Sequence, residues 1–264
     1  MTTADPGPDG LSAELRDAVA RVAHTPHLLV AMDFDGTMAP LVSRAEDARP
    51  LPGAAAAFAS LAELESTTTA LVSGRALASL RAVASPPVQT LLVGSHGAEV
   101  WLGQDSPGLE LTEQQKRVLG KAQSVINEAV AQHPGTTVEN KPAGVVLHYR
   151  QATPEAGQSA VAQVRKALEQ ETGLFISDGK MVLEISAVNA NKGQSLQLLR
   201  KATGATAVIF AGDDVTDEHA FAALNPGDVG IKVGQGATKA PFRIGSPEDL
   251  PALLELLLAT RKHS

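Results

Sequence analysis

Short apolar runs separated by amphipathic stretches occupy both ends of the chain, and their spacing predicts alternating strands and helices. Leu28–Met32 reads as a buried strand, 53–64 as a helix, 68–72 as a strand, 77–83 as a short helix and 91–93 as another strand. An amphipathic helix over 11–23 precedes them. The alternation returns with a helix over 192–203, a strand over 207–211, a helix over 216–224 and strands near 229–233 and 242–244. The closing helix starts at Ser246, which can cap, with Pro247 in the first helical position and Glu248 and Asp249 suited to the N-terminal dipole. Uninterrupted apolar strands divided by helices predict an α/β fold with a doubly wound, mostly parallel sheet.

From 107 to 186 the pattern changes. A helix over 112–132 carries Val118, Ala122, Val125, Ile126 and Ala129 on one stripe, and a second helix over 155–171 carries Ala160, Val161, Val164, Ala167 and Leu168. Strands over 136–141 and 144–150 form a hairpin about Pro142-Ala143, and two more strands flank "SDGK", where Asp178-Gly179 is a turn signal. The prediction is an inserted α+β domain, with the α/β core made of 11–106 and 187–264. Strand parity places Val145, Leu147, Tyr149, Met181, Leu183 and Ile185 on the face that the helices cover. The other face then carries His148, Arg150, Lys180 and Glu184, with Glu139 and Lys141 beside them. Mixed charge and a histidine suit the hydroxyls of a sugar, although a sheet facing bulk water reads the same way.

Composition narrows the possibilities. At 264 residues and 44% hydrophobic, the chain can bury a full core. A net charge of -7 argues against nucleic acid as a partner, and the lack of cysteine excludes disulfides and thiolate metal sites. The opening "MTTADPGPDG" lacks a basic region followed by an apolar core, so it reads as a disordered start over 1–10 and not as a signal peptide. No apolar run approaches the roughly 20 residues of a membrane span. A soluble, cytoplasmic monomer without a membrane partner is the expectation.

The chemistry gathers where strands end. In an open α/β sheet, ligands bind beyond the carboxyl ends of the strands. There, "VAMDFDGTMAP" places Asp33 and Asp35, the next strand leads to Ser73-Gly74-Arg75, and a later one to Gly212-Asp213-Asp214 and then Asp217. The insert returns the chain to Asn191-Lys192 at a helix start. Each of these alone could be a cap or a turn. Together they converge too many carboxylates to coexist without a cation, and oxygen-only ligands favour Mg²⁺. Mg²⁺ beside a lysine, a hydroxyl and backbone amides is a phosphate site. One aspartate can then attack phosphorus, while the other serves as acid and base.

"DFDGT", a serine after a second strand, a later lysine and "GDD…D" occur in that order and resemble the haloacid dehalogenase-like phosphatases. More narrowly, "VSGR", "GSHGAE", "LHYR", "DGKMVLE", "GDDVTDEHAF" and "KVGQGATKAPFRI" resemble the trehalose-6-phosphate phosphatases from Leu28 onward. The resemblance implies hydrolysis of trehalose 6-phosphate through an aspartyl-phosphate. Asp33 would be the nucleophile and a metal ligand, and Asp35 the acid/base with its carbonyl on Mg²⁺. Ser73, Gly74 and Lys192 would hold the phosphoryl group. Asp213 would complete the metal shell, with Asp214 or Asp217 acting directly or through water. The insert would be a lid over the sugar, with Lys180 and Glu184 as leading contacts. Arg75, His96, Glu99, Glu139, Lys141, His148 and Arg150 complete the candidate substrate-binding set. Glu184-Ile185-Ser186-Ala187 departs from the family pattern, since many relatives carry an arginine and a proline after this glutamate. Sucrose 6-phosphate and glucosyl-3-phosphoglycerate are rival substrates, and a mutase or an inactive sugar-phosphate-binding module are rival classes.

Overall fold

A computed structural model describes residues 10–179 and 181–262, which divide into two compact units. One unit joins the described residues up to Pro107 with those from Asn191 onward, and the other is Gly108–Ala190. The second boundary lies four residues beyond the expected 186, immediately before Asn191. The disorder expected over 1–10 falls, except for Gly10, outside the described residues.

In chain order, the first unit begins with α1 (Ala13–Ala23), β1 (Leu28–Met32), α2 (Pro52–Ala62), β2 (Thr67–Val72), α3 (Leu77–Ala84), β3 (Leu91–Gly94) and β4 (Glu99–Trp101). The second unit contains α4 (Glu113–Gln132), β5 (Thr137–Lys141), β6 (Gly144–His148), α5 (Pro154–Leu168), β7 (Phe175–Gly179) and β8 (Val182–Ser186). The chain then returns through α6 (Lys192–Thr203), β9 (Ala207–Gly212), α7 (Asp217–Ala222), β10 (Val229–Val233), β11 (Phe242–Ile244) and α8 (Leu250–Arg261).

The seven strands of the first unit run in the order β11-β10-β9-β1-β2-β3-β4, all parallel except the β3–β4 pair. Every residue of β1 is buried because both faces of the sheet are covered. Leu28, Val30 and Met32 join the core layer that contains α1, α2, α3 and α8, while Leu29 and Ala31 join the layer of α6 and α7. Each fully buried leucine contributes roughly 2 kcal/mol, which fixes the register and with it the positions of residues just past the strand ends. The order reverses at β1, since β2 and β3 extend one way and β9 and β10 the other, and that is where an open sheet presents a ligand crevice. Strand β4 was not expected from sequence. It is three residues long and pairs antiparallel with β3, so the sheet is mostly, not wholly, parallel.

The second unit is a four-stranded antiparallel sheet in the order β5-β6-β8-β7. Val145, Leu147, Leu183 and Ile185 pack under α4 and α5 through Val118, Ala122, Ile126, Ala160 and Val164. The Thr112–Gln115 capping box starts α4, and Thr153 caps α5 by accepting from the Ala156 amide. Two expectations need correction. Gly179 pairs with Val182, so Asp178-Gly179 end β7 instead of forming the turn, and Met181 at φ +65° precedes β8. Strand β6 stops at His148, so Arg150 lies past the strand and not in its alternation. No helix among the described residues is long and apolar enough to cross a membrane.

Candidate functional site

The carboxyl ends of β1, β2 and β9 bring three separated stretches together at one edge of the first unit. Asp33 follows β1, with its amide donating to the Ala211 carbonyl at 2.9 Å, so its backbone is locked to β9. Lys192 is the first residue of α6, whose start is set by Asn191 accepting from the Gln194 amide at 2.9 Å. From there its ammonium group donates to Asp33 Oδ1 at 2.7 Å and Asp217 Oδ1 at 2.6 Å. Asp217 Oδ2 accepts the Asp214 amide at 2.9 Å. Lys192, Asp33 and Asp217 are all buried.

Asp33, Asp213 and Asp217 each offer an oxygen within 4.8 Å of the others. The electrostatics are those of a crowded, dry carboxylate cluster. Burial pushes the Asp33 carboxyl well above the usual carboxylate range; Lys192 opposes the shift, while Asp217 and Asp213 add to it. Burial likewise raises Asp213 to about 6, with Asp217 and Asp214 contributing. Burial disfavours the charge on Lys192, but Asp217 and Asp33 outweigh that and hold its pKa above the ordinary lysine value. Three carboxylates against one ammonium leave an excess of negative charge. Asp213 Oδ1 is buried and has no hydrogen-bond partner among the described residues. An oxygen-only donor set with one orphaned carboxylate oxygen fits a hard divalent cation. Gly36, at φ +82°, makes the approach possible: a Cβ there would sit 2.3 Å from Asp213 Oδ2.

The other candidates fall elsewhere. Both carboxylate oxygens of Asp35 are held by Arg75, Nε to Oδ2 and Nη2 to Oδ1, each at 2.6 Å. The Asp35 side chain therefore stands apart from the three-aspartate cluster, and Arg75, expected to bind substrate, is engaged with a protein carboxylate. Asp214 contributes its amide to Asp217 and lies outside that cluster as a carboxylate. Asp217, expected as a ligand, accepts from Lys192 on one oxygen and from the Asp214 amide on the other, and stays within the three-carboxylate cluster. Ser73 is buried, with its Oγ accepting the Arg75 amide at 3.2 Å.

The turn after β3 is clamped to this loop, with the Ser95 amide on the Arg75 carbonyl at 2.7 Å and the His96 amide on the Ser73 carbonyl at 3.0 Å. His96, at φ +54°, packs its ring against Gly74, where a Cβ would lie 2.4 Å from the imidazole. Glu99 Oε2 accepts from Ser95 Oγ at 2.6 Å and from the Leu77 amide at 3.4 Å, which ties it into the same turn.

In the second unit, Lys141 Nζ donates to Glu184 Oε1 at 2.7 Å, and His148 Nε2 lies 2.9 Å from Glu139 Oε2. The His148 hydrogen bond is the main cause that holds the Glu139 carboxyl below its ordinary value. These four residues share one sheet face through the pairings Glu139–Val146–Glu184 and His148–Val182. Arg150 lies beyond the end of β6, and Lys180 lies outside the described residues.

Sequence reading missed Lys232. It is a buried lysine in an otherwise apolar strand, donating to the Asp213 carbonyl, with Glu218 Oε1 at 4.0 Å. That lone charge within "VGIKV" was the available signal. Thr37, the last residue of "DFDGT", is fully buried with its hydroxyl unpartnered among the described residues.

Carboxylates at the end of a central parallel strand, placed where the strand order reverses, give this chain the architecture of the haloacid dehalogenase-like class. It belongs to the trehalose-phosphatase family, whose model matches residues 31–247. A trehalose-phosphate phosphatase of Mycobacterium marinum is 33% identical over 259 residues, covering 89% of this chain and 64% of its own length. The chain thus spans under two thirds of that relative. The trehalose-6-phosphate phosphatase of Escherichia coli K12 is 30% identical over 230 residues, covering 85% of this chain and 84% of its own. Among solved structures, the C-terminal domain of the Candida albicans trehalose-6-phosphate phosphatase aligns with a TM-score of 0.79 over 93% of this chain and 96% of that one. Its sequence identity is 21%, so that likeness concerns the fold.

Proposed function

We propose that the protein hydrolyses trehalose 6-phosphate to trehalose and inorganic phosphate. The observation that carries this reading is the buried Asp33 carboxylate paired to Lys192 beside the orphaned Asp213 oxygen. Asp33 attacks phosphorus, the bond from phosphorus to the sugar oxygen breaks, and that oxygen takes a proton from Asp35. Water then gives its proton to Asp35 and attacks the same phosphorus, breaking the bond to Asp33 and releasing phosphate. Lys192 uses two of its three N–H groups on Asp33 and Asp217, which leaves a third for a phosphoryl oxygen that Ser73 and Gly74 would also hold. Mg²⁺, held by Asp33 and Asp213 with the Asp35 carbonyl, would supply positive charge to offset the cluster and the phosphoryl oxygens.

The polar face of the second unit's sheet serves as the sugar-recognition surface, so the insert acts as a cap. Support comes from the charged residues gathered there and from the names of the relatives. The reading includes a cytoplasmic monomer that acts on a small molecule, and the net charge of -7 speaks against a nucleic-acid partner.

Phosphate release from a panel of trehalose 6-phosphate, sucrose 6-phosphate, glucose 6-phosphate and glucosyl-3-phosphoglycerate, with Mg²⁺ and with EDTA, tests this. Trehalose 6-phosphate should be preferred by at least about tenfold in kcat/KM, a difference of roughly 1.4 kcal/mol in transition-state binding, and EDTA should abolish turnover. Preference for another sugar would overturn the substrate, and EDTA-resistant turnover the metal.

Glu184→Ala should raise the KM for the disaccharide phosphate by roughly tenfold or more, since it removes a polar contact of about 1.5 kcal/mol and leaves Lys141 without its 2.7 Å partner. The KM for p-nitrophenyl phosphate should change little. Equal losses on both substrates would assign Glu184 to the fold instead.

A further inference from the structure

The bidentate pair between Arg75 and Asp35 has a guanidinium that is itself held from several directions. Its Cζ lies 5.6 Å from the centroid of the fully buried Phe34 ring, and Nη1 donates to Ser79 Oγ at 3.3 Å. Its amide is on Ser73 Oγ at 3.2 Å, and its carbonyl accepts the Ser95 amide at 2.7 Å. The Arg75 side chain is 10% exposed, against 33% for that of Asp35. The arginine is therefore the fixed member of the pair, and the carboxylate takes its orientation from it. Two parallel N–H···O bonds define the plane of a carboxylate, which a single bond does not. They occupy two of about four lone-pair sites on the carboxylate, so a proton can still be exchanged while the fork holds.

We infer that Arg75 is a positioning residue for the acid–base carboxylate of Asp35, and not a ligand for the substrate. The inference rests on the role proposed for Asp35 above. An acid aligned with the leaving oxygen matters most when that oxygen is a poor leaving group, as in an alkyl sugar ester. It matters little for p-nitrophenolate, which departs without a proton. Loss of Arg75 therefore removes the same part of catalysis that loss of Asp35 removes.

The test is kcat/KM for aryl phosphates of rising leaving-group pKa and for the sugar phosphate, because kcat/KM reports steps up to phosphoryl transfer. The proteins are wild type, Asp35→Asn, Arg75→Ala, Arg75→Lys and the Asp35→Asn/Arg75→Ala double variant. Asp35→Asn and Arg75→Ala should each lose on the order of 10²-fold on the sugar ester and under about tenfold on p-nitrophenyl phosphate. Arg75→Lys keeps the charge but not the fork, so it should fall between wild type and Arg75→Ala and supplies the test if the alanine variant folds poorly. The double variant should be no worse than Asp35→Asn alone. Equal losses across the leaving-group series, or additive losses in the double variant, would overturn the inference and return Arg75 to the substrate-binding residues. A flat series for Asp35→Asn would instead remove the acid role of Asp35 and, with it, the role given to Arg75.

Discussion

Asp33→Asn should lower phosphate release by at least about 10⁴-fold, the scale expected when a covalent nucleophile is removed, while the metal-free protein becomes more stable at neutral pH. Both effects have one origin. Asp33 is buried in a cluster of like charge, and its folded-state pKa lies well above the reference value of 3.8. A carboxyl whose pKa rises on folding leaves stability unaffected below its unfolded pKa and costs stability progressively as pH rises through the folded one. The asparagine variant should therefore melt higher than wild type at pH 7 in EDTA, and the gain should vanish below about pH 3.8. Turnover assays and thermal melts at the two pH values check this. Near-normal turnover would sink the covalent mechanism, whereas a lower melting temperature at pH 7 would mean that the Lys192–Asp33 pair stabilises the metal-free fold on balance.

The second large effect lies on the opposite side of chemistry. Arg261, at the end of α8, is 9% exposed and acts as a clasp. Its Nε donates to Thr67 Oγ1 at 2.6 Å, Nη1 to the Ala23 and Thr25 carbonyls at 2.7 and 3.0 Å, and Nη2 to the Ser66 carbonyl at 2.5 Å. It thereby ties the last helix to the chain leaving α1 and to the start of β2. Arg261→Met keeps the apolar stem but strands the Ala23 and Thr25 carbonyls and leaves that of Ser66 with the Leu28 amide alone, a cost of roughly 3 kcal/mol. For a unit of this size that is about 10 °C in Tm. Phosphate release at 25 °C should stay within about twofold of wild type. A Tm drop of under about 2 °C would show that water satisfies these carbonyls. Thr67→Val, which removes one of the bonds, should cost about a third as much.

Where elements rest on long apolar or amphipathic repeats, the sequence was legible. The strands at 28–32, 229–233 and 242–244 and the helix at 192–203 match the structure residue for residue, because buried parallel strands and capped amphipathic helices write their limits into local pattern. Strand β4 escaped because Glu99-Val100-Trp101 opens on a charge and is a strand only through its antiparallel pairing with β3, which depends on the positive-φ turn at Ser95–His96. Asp178-Gly179 misled because a turn-prone dipeptide can still end a strand. At the site, motif spacing brought Asp33, Lys192, Asp213 and Asp217 to attention, and the structure does gather them. Spacing alone could not separate a carboxylate with a buried, unpartnered oxygen, Asp213, from one whose oxygens each accept a hydrogen bond, from Lys192 and from an amide, Asp217. Nor could it show that Arg75 turns toward Asp35, or that Lys232 reaches the Asp213 carbonyl from the neighbouring strand. Those are facts of side-chain direction, which only the packed sheet supplies.

The position of the second unit within the chain has a consequence for the order in which the protein forms. Strand β1 pairs on one side with β2, about forty residues away, and on the other with β9, where Leu28 meets Ala207. A ribosome must therefore deliver all of Gly108–Ala190 before the central strand can gain its second neighbour and before Lys192 exists to meet Asp33. The inserted unit is contiguous, and beyond its two hairpins its widest strand pairing, Gly144 with Ser186, spans far less chain than Leu28 with Ala207. The core must close the longer loop, which is the slower kind of step. During that interval, a strand made entirely of buried apolar residues has an unpaired edge, and it is then that this chain is most exposed to association with another.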